Sequence, residues 1–295
     1  MAEAIGAGVG VLFNPSLESF LEDAARVVDY LAVIPDRGWV DAGRGHASRF
    51  ASLAPLEALL AGVAASRPRP LHGIGLSICS AEFFDEEYVE QLVRTQRRWS
   101  SPWVSEHLSF SRLSTDHEIN TAVAVAIPYD RELLDLLVPR VERLTRELGC
   151  PFLLENSVNY LSYPDEDLSE PEFLNELCAR AGCGLLLDLH NLHCNAVNHG
   201  FDPREYLRAL DLDRVVEIHV AGGVSMQGFH TDSHTGPVLE PVWDLLDAVL
   251  PLARRLRGVT FEFHESSFPL LGRDGVVAQV TRARRAIAAA RAGVP

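Results

Sequence analysis

Carboxylates, imidazoles and carboxamides recur at the ends of otherwise apolar runs in this sequence. Glu155 and Asn156 follow Phe152-Leu153-Leu154, and Asp188, His190 and Asn191 come directly after Leu185-Leu186-Leu187. Glu106 and His107 close the run from Trp103 to Leu108, His219 lies within Val215 to Ala221, and Glu262 and His264 end Gly258 to His264. His72 sits early in Leu71 to Ser77, and Asp232 and His234 follow the seventh run. Taken alone, each has a bland reading. A single His72 or His219 is more often a hydrogen-bonded core histidine than a ligand, Glu155 could pair with an arginine, and Asp232-Ser233-His234 could be a turn. Together they point elsewhere: ionisable groups delivered from inside apolar segments need compensation, and metal ions supply it most simply.

The ligand types narrow the metal. Carboxylate and imidazole without cysteine thiolate suit iron, manganese or zinc rather than copper(I) or an iron–sulfur cluster. The candidates are too many for one ion, so two or three are expected. Spacing does not separate redox iron from hydrolytic zinc, since multinuclear sites serve both chemistries.

Such residues need a scaffold that brings strand ends together. Eight apolar runs qualify as strands: Gly8 to Phe13, Tyr30 to Ile34, Leu71 to Ser77, Trp103 to Leu108, Pro151 to Asn156, Gly184 to Asn191, Val215 to Ala221 and Gly258 to His264. Between them lie helical patterns at Ser16 to Val28, Asp85 to Arg98, Arg131 to Leu148, Glu170 to Arg180, Pro203 to Leu210 and Val238 to Leu256, as in the spacing of Leu133, Leu137, Val141 and Leu144. Regular βα alternation with eight strands predicts an α/β (β/α)8 TIM barrel, with its site at the carboxyl ends of the strands. No compositional break divides residues 1–295, so one domain is expected. Gly6, Gly8 and Gly10 precede or lie within the first strand, which makes a poor dinucleotide turn.

Composition removes other classes. Hydrophobic residues make up 47% and charged residues 23%, the balance of a globular chain with a sizeable core. Net charge is −15 and lysine is absent, which excludes a lysine Schiff base and a P-loop lysine and argues against nucleic acid as a partner. The five cysteines, Cys79, Cys150, Cys178, Cys183 and Cys194, are scattered and odd in number, so they form no disulfide framework. The segment from Met1 to Phe13 lacks a basic n-region and a cleavage site, and no apolar run is long enough to span a bilayer. A cytoplasmic protein without membrane association is expected.

Several blocks carry a resemblance. His72-Gly73-Ile74-Gly75-Leu76-Ser77, Ser105-Glu106-His107-Leu108, Leu154-Glu155-Asn156 with Tyr160, and Leu185-Leu186-Leu187-Asp188-Leu189-His190-Asn191 are four of them. Asn198-His199-Gly200-Phe201-Asp202-Pro203, Glu217-Ile218-His219-Val220-Ala221-Gly222 and Thr231-Asp232-Ser233-His234 follow. In that order they resemble the signature blocks of the multinuclear non-heme iron-dependent oxidative enzymes, of the methanobactin- and thiaglutamate-biosynthesis type. The resemblance implies a xylose-isomerase-like barrel with two or three irons in mixed ferrous and ferric states and dioxygen as co-substrate. It further implies a precursor peptide as substrate, often modified at cysteine, and a partner protein that presents the peptide. Carried over by position, the metal ligands would be His72, His107, Glu155, Asp188, Asn191, His219, Asp232, His234 and Glu262. Asp188, His190, Asn191 and Glu106 would take catalytic roles, with Asn156 and His193 as auxiliary residues. The chain departs from the family around Ala32 and Asp36, at Gly223 where many relatives have histidine, and at His264 beyond Glu262, positions that bear on the substrate.

Two other readings stay open. The same ligand pattern resembles the zinc-dependent apurinic endonucleases, although those typically carry histidine at the position of Asn191 and need phosphate contacts that suit an acidic chain poorly. A sugar isomerase of related fold often uses a lysine that this chain lacks. A non-catalytic metal- or peptide-binding barrel is the third reading, since fold does not settle function.

Overall fold

The computed structural model describes residues 7–20, 23, 26–62, 67–113 and 120–292. Each of the eight apolar runs holds one strand of a parallel sheet. In chain order the elements are β1 (Gly8–Leu12), β2 (Tyr30–Ala32), the hairpin β3 (Trp39–Asp41) and β4 (Phe50–Ser52), helix α1 (Ala54–Gly62), β5 (Leu71–Gly73), α2 (Glu86–Trp99) and β6 (Val104–His107). The hairpin β7 (Phe110–Arg112) and β8 (Asn120–Val125), α3 (Arg131–Leu148), β9 (Phe152–Glu155), α4 (Glu170–Ala181), β10 (Gly184–Asp188), α5 (Leu189–His199) and α6 (Pro203–Ala209) follow. The chain ends with β11 (Val215–Ala221), the short hairpin β12 (Ser225–Met226) and β13 (Phe229–His230), α7 (Glu240–Val249), β14 (Gly258–Glu262) and α8 (Phe268–Ala292).

Sheet neighbours follow chain order, and β14 returns to pair with β1, Gly8 opposite Gly258. Between β2 and β5 the ladder thins to a single bridge, Val33 to Leu71, with His72 N donating to Val33 O and Val33 N to Pro70 O, both at 2.9 Å. The architecture is therefore a nearly closed eight-stranded (β/α)8 barrel.

Alternation along the strands decides what enters the barrel. Phe152 and Leu154 pack outward into the main core beneath the helices, and Leu185 and Leu187 do the same. Leu153, Leu186, Trp103, Tyr30, Ala32 and Leu12 form a separate buried cluster that fills the barrel floor. The helices cover the outer face. Leu134, Leu137, Val141 and Leu144 of α3 are all fully buried, and each such side chain contributes about 1.5–3 kcal/mol. Asp130 caps that helix by accepting from Leu133 N at 2.7 Å, and Gly149 ends it in the left-handed region at φ 65°.

Strand ends are where the structure departs from the sequence reading. The run predicted from Gly184 to Asn191 stops as a strand at Asp188, whose side chain accepts from Asn191 N at 2.7 Å and so starts α5. His190 and Asn191 thus occupy the first turn of a helix. The run to His264 ends at Glu262, and His264 instead caps a short 3-10 turn by accepting from Ser266 N at 3.2 Å. Of the helix expected over Ser16 to Val28, Pro15–Phe20 forms a 3-10 segment, and residues 21, 22, 24 and 25 lie outside the described residues.

At the start of α4, burial pushes the Glu170 carboxyl up from 4.5 to about 7, against the Tyr129 and Tyr206 hydroxyls, which favour the carboxylate. A raised folded-state value means that the folded protein binds the extra proton. Its stabilising share is complete below pH 4.5 and is lost as pH rises through about 7. Thermal midpoints measured at about pH 5 and about pH 8 should therefore differ less in Glu170→Gln than in the parent chain. Equal differences would show that Glu170 does not titrate with folding.

Candidate metal centre

Inward positions that carry leucine or tryptophan low in the barrel carry polar residues one step higher. Glu155 stands two residues above Leu153, Asp188 two above Leu186, and Ser105 and His107 two and four above Trp103. Glu217 and His219 share the inward face of β11, as Thr260 and Glu262 share that of β14. The ends of the strands thereby deliver two groups of potential ligands that meet at Glu155. One is His72, His107 and Glu155, and the other is Glu155, Asp188, His219 and Glu262, with the ligand atoms of each group within 4.8 Å of one another.

In the first group Glu155 Oε2 lies 3.5 Å from both His72 Nε2 and His107 Nε2, which are themselves 3.2 Å apart. His72 Nδ1 is hydrogen-bonded to Ser105 Oγ at 3.0 Å, which leaves Nε2 turned to the cluster. In the second group His219 Nδ1 is 3.0 Å from Glu262 Oε2, 3.7 Å from Glu155 Oε1 and 3.9 Å from Asp188 Oδ2. Asp232 and His234 reach the same region from the loop after β13. His234 Nδ1 is 3.4 Å from Glu262 Oε1, and His234 Nε2 is 2.9 Å from Asp232 Oδ1. The His234 backbone sits at φ 48°, an uncommon conformation for a residue with a side chain, and is held there by His264 N donating to His234 O at 2.9 Å. Asn191 Oδ1 has no hydrogen-bond partner, while its amide donates to Asn156 O at 3.0 Å. Asn156 in turn clamps the Asp188 backbone, accepting from Asp188 N at 2.8 Å and donating to Asp188 O at 3.0 Å.

Whether these residues suit a metal can be tested on their polar atoms. Buried polar atoms are normally hydrogen-bonded. Here Glu155 Oε2, Asp188 Oδ2, Asn191 Oδ1, His219 Nδ1, Asp232 Oδ1 and His234 Nε2 are all buried and make no hydrogen bond of acceptable geometry. Asp232 and His234 stand at hydrogen-bond distance without that geometry, as two ligands of a shared cation would. The donor set is oxygen and imidazole nitrogen without thiolate, which fits iron, manganese or zinc.

Electrostatics lead to the same conclusion. Burial holds Glu155 well above the ordinary carboxylate range and raises Asp188 to about 7, although His219 pulls both down. Burial opposes charge on His219, yet Glu217 and Glu262 raise it well above the usual imidazole value. His234 likewise rises to about 10 against burial, through Asp232 and Glu262. His72 and His107 are pushed down by burial, aided at His72 by the neighbouring imidazoles. The centre thus pulls its groups in both directions, Glu155, Asp188, His219 and His234 upward and Asp232 and Glu262 downward, and cations bound there would compete with protons for the same atoms.

Other predicted residues lie apart from these groups. Glu106 has the opposite parity to His107 and faces α2, where Tyr88 OH donates to it at 3.5 Å and to Asp36 Oδ1 at 2.7 Å. Burial raises both of those carboxyls. His190 is fully buried on α5, with Nε2 3.3 Å from Thr231 O and 3.4 Å from Cys194 Sγ. Gly223 makes room for it, since a Cβ at that position would lie 2.5 Å from His190 Cε1 and 2.7 Å from Thr231 O. His193 stacks edge-on against His230, and His264 is exposed. Glu217 and Trp103, which the sequence reading gave no role at the centre, lie directly beneath it: Trp103 Nε1 donates to Glu217 Oε2 at 2.6 Å. The signal for Glu217 was present in the sequence, because a residue two before His219 on a strand shares its face.

A cavity of ≈ 380 Å³ opens beside His107, between the barrel mouth and the β7–β8 hairpin. Asp36, Ile74, Arg112 and Val123 are among its walls. His107 is the most exposed member of the two groups, its side chain 24% accessible against 2% for Glu155.

Residues 6–287 match the profile of the family described as RiPP precursor modification enzyme MbnB/TglH/ChrH. A UPF0276 protein from Caulobacter vibrioides strain NA1000 is 33% identical over 292 residues, covering 98% of this chain and 96% of that one. Among solved structures, endonuclease IV from Thermus thermophilus is similar with a TM-score of 0.56 at 18% identity, over 97% of this chain and 100% of that one. D-psicose 3-epimerase from Clostridium cellulolyticum H10 gives 0.57 at 12% identity, over 97% and 98%. These two likenesses show the fold alone, a xylose-isomerase-like barrel.

Proposed function

This chain belongs to the MbnB/TglH/ChrH family of RiPP precursor modification enzymes, and from that premise we propose that it is an iron-dependent oxidoreductase that uses dioxygen to modify a residue of a precursor peptide. The observation that carries the metal part of this reading is the pair of buried ligand groups sharing Glu155. His72, His107 and Glu155 would hold one ion, Glu155, Asp188, His219 and Glu262 a second, and Asp232, His234 and Asn191 would complete the coordination or hold a third. Iron bound there supplies one-electron redox chemistry and the reduction of dioxygen.

The chain's own residues have definable tasks. Ser105 fixes the His72 ring and Asn156 fixes the end of β10, so that the ligands are positioned before any ion arrives. The burial of Asp188 and His219 excludes water from the inner side of the centre. On the outer side the accessible edge of His107 borders the adjoining cavity, which would receive the side chain to be modified. A peptide-presenting partner protein belongs to this proposal, and the exposed apolar residues Ile74 and Val123 at the cavity would lie under the bound peptide.

The test begins with anaerobically purified protein. Elemental analysis with Mössbauer spectroscopy should find two or three irons per chain, and a precursor peptide encoded beside this protein should change mass only when iron and dioxygen are both supplied. Zinc retained without iron uptake, together with cleavage of an abasic duplex, would replace this reading with phosphodiester hydrolysis.

A further inference from the structure

We propose that Glu217 is a positioning residue: from beneath His219 it fixes the imidazole as the Nε2–H tautomer, so that Nδ1 is the nitrogen presented to the ion held with Glu155, Asp188 and Glu262. This rests on the reading of the buried cluster as a metal centre, and on nothing about the reaction carried out there. His219 has its two ring nitrogens in different surroundings. Nδ1 faces Glu262, Glu155 and Asp188 at 3.0, 3.7 and 3.9 Å, whereas Nε2 faces Glu217 Oε1 at 3.4 Å, close enough for a hydrogen bond to form once a bound ion fixes the ring. Neither nitrogen has hydrogen-bond geometry in this structure. The tautomer of a metal-binding histidine is set by the partner of its other nitrogen, and a carboxylate in that place also makes the ring a stronger ligand.

Glu217 is itself held from several sides. Trp103 Nε1, which can only donate, bonds to Oε2 at 2.6 Å, and Thr260 Oγ1 donates to Oε1 at 2.5 Å. Thr260 in turn is bonded to Tyr30 OH at 2.7 Å, and the Tyr30 and Trp103 rings meet edge-on at 5.3 Å. The Tyr30 ring fits because Gly10 and Gly258 flank it; a Cβ on Gly258 would lie 2.3 Å from the Tyr30 hydroxyl. Both hydrogen bonds to Glu217, from Trp103 and Thr260, are donated to it.

A purely structural role is a poor explanation for this residue. Glu217 is 1% exposed beside a floor of Leu12, Tyr30, Ala32, Ile34, Trp103, Leu153 and Leu186. Filling that place with an apolar residue would avoid the cost of burying a carboxylate. What an apolar residue cannot do is accept the Nε2 proton of His219.

The test uses zinc and cobalt as probes and needs no turnover. In zinc-loaded protein labelled with 15N-histidine, His219 should show its proton on Nε2 and the metal on Nδ1. Glu217→Gln cannot satisfy Trp103, Thr260 and His219 together, and it should weaken cobalt(II) binding, read by chelator competition, by about 10- to 100-fold. Trp103→Phe frees Glu217 Oε2 but leaves Oε1 facing His219, so it should lower the thermal midpoint and cost less cobalt affinity than Glu217→Gln. The proposal is overturned by a proton on Nδ1 of His219, by unchanged cobalt affinity in Glu217→Gln, or by an equal loss of affinity in Trp103→Phe. Should Glu217→Gln fail to fold, the NMR assignment on the parent protein decides. If the parent protein binds neither zinc nor cobalt, the metal-centre reading itself fails, which is distinct from finding a metal bound through the wrong nitrogen.

Discussion

Glu155→Gln should make the metal-free protein more stable and the metal-loaded protein less stable than the parent chain. Burial holds the Glu155 carboxyl well above its ordinary range, with Asp188, Glu262 and Asp232 adding to the effect and only His219 opposing it. An amide of the same shape carries no charge to desolvate. With its NH2 turned to the His72 and His107 Nε2 atoms that now face the unsatisfied Oε2, the amide stabilises the metal-free state by about 1–3 kcal/mol. With metal present the sign reverses. A ligand at a hundred times its dissociation constant stabilises the native state by about 2.7 kcal/mol, and Glu155 belongs to both ligand groups, so the variant forfeits most of that gain for either ion. Thermal midpoints with and without iron(II) under anaerobic conditions, together with metal content, make the comparison. A variant that keeps a full metal complement would show that Glu155 is not shared between the ions. One that is destabilised equally with and without metal would mark Glu155 as a structural residue.

Arg49→Met should cost about 3–5 kcal/mol of stability. Its guanidinium, 3% exposed, reaches Asp85 at 2.8 Å, Asp41 at 2.9 Å and Glu87 at 3.0 Å. Asp85 is 1% exposed and also caps α2 by accepting from Tyr88 N at 3.1 Å. Removing the arginine leaves that carboxylate buried, with Arg112 at 3.5 Å as its remaining cation among the described residues. Arg49 ties the β3–β4 hairpin to the start of α2, so the loss should appear as a lower urea midpoint and as faster amide exchange in that hairpin. A midpoint within experimental error of the parent chain would show that water reaches the network and replaces the lost cation.

The barrel was legible in the sequence because parallel strands buried on both faces read as continuous apolar runs, and all eight runs hold a strand. Their carboxyl ends were less legible. In a run such as Leu185 to Asn191, Asp188 reads equally well as a polar residue at a strand end and as a helix N-cap, so it does not mark by itself where strand gives way to helix. The stop comes from Asp188 capping α5 and from Asn156 gripping its backbone, a contact from a neighbouring strand. The ligand candidates could be recognised by type and position, but their grouping could not, since that depends on which strands are adjacent. Parity would have separated Glu106 from His107 and joined Glu217 to His219. The β3–β4 and β7–β8 hairpins escaped detection because they are three to six residues long and half exposed, with little hydrophobic signal. The Arg49 network was invisible for a related reason: its members are spread from Asp41 to Glu87 and meet only once the hairpin has folded onto α2.

The thin link between β2 and β5 gives the ring of strands a clasp. His72 stands on β5, at one lip of that clasp, while Asp188, His219 and Glu262 stand on the neighbouring strands β10, β11 and β14 away from it. Spreading the lips would carry His72 outward and leave those strands in place, with Glu155 on β9 as the pivot common to both. A metal ligand at the weakest seam of the ring would then be the first to lose its place when the barrel loosens.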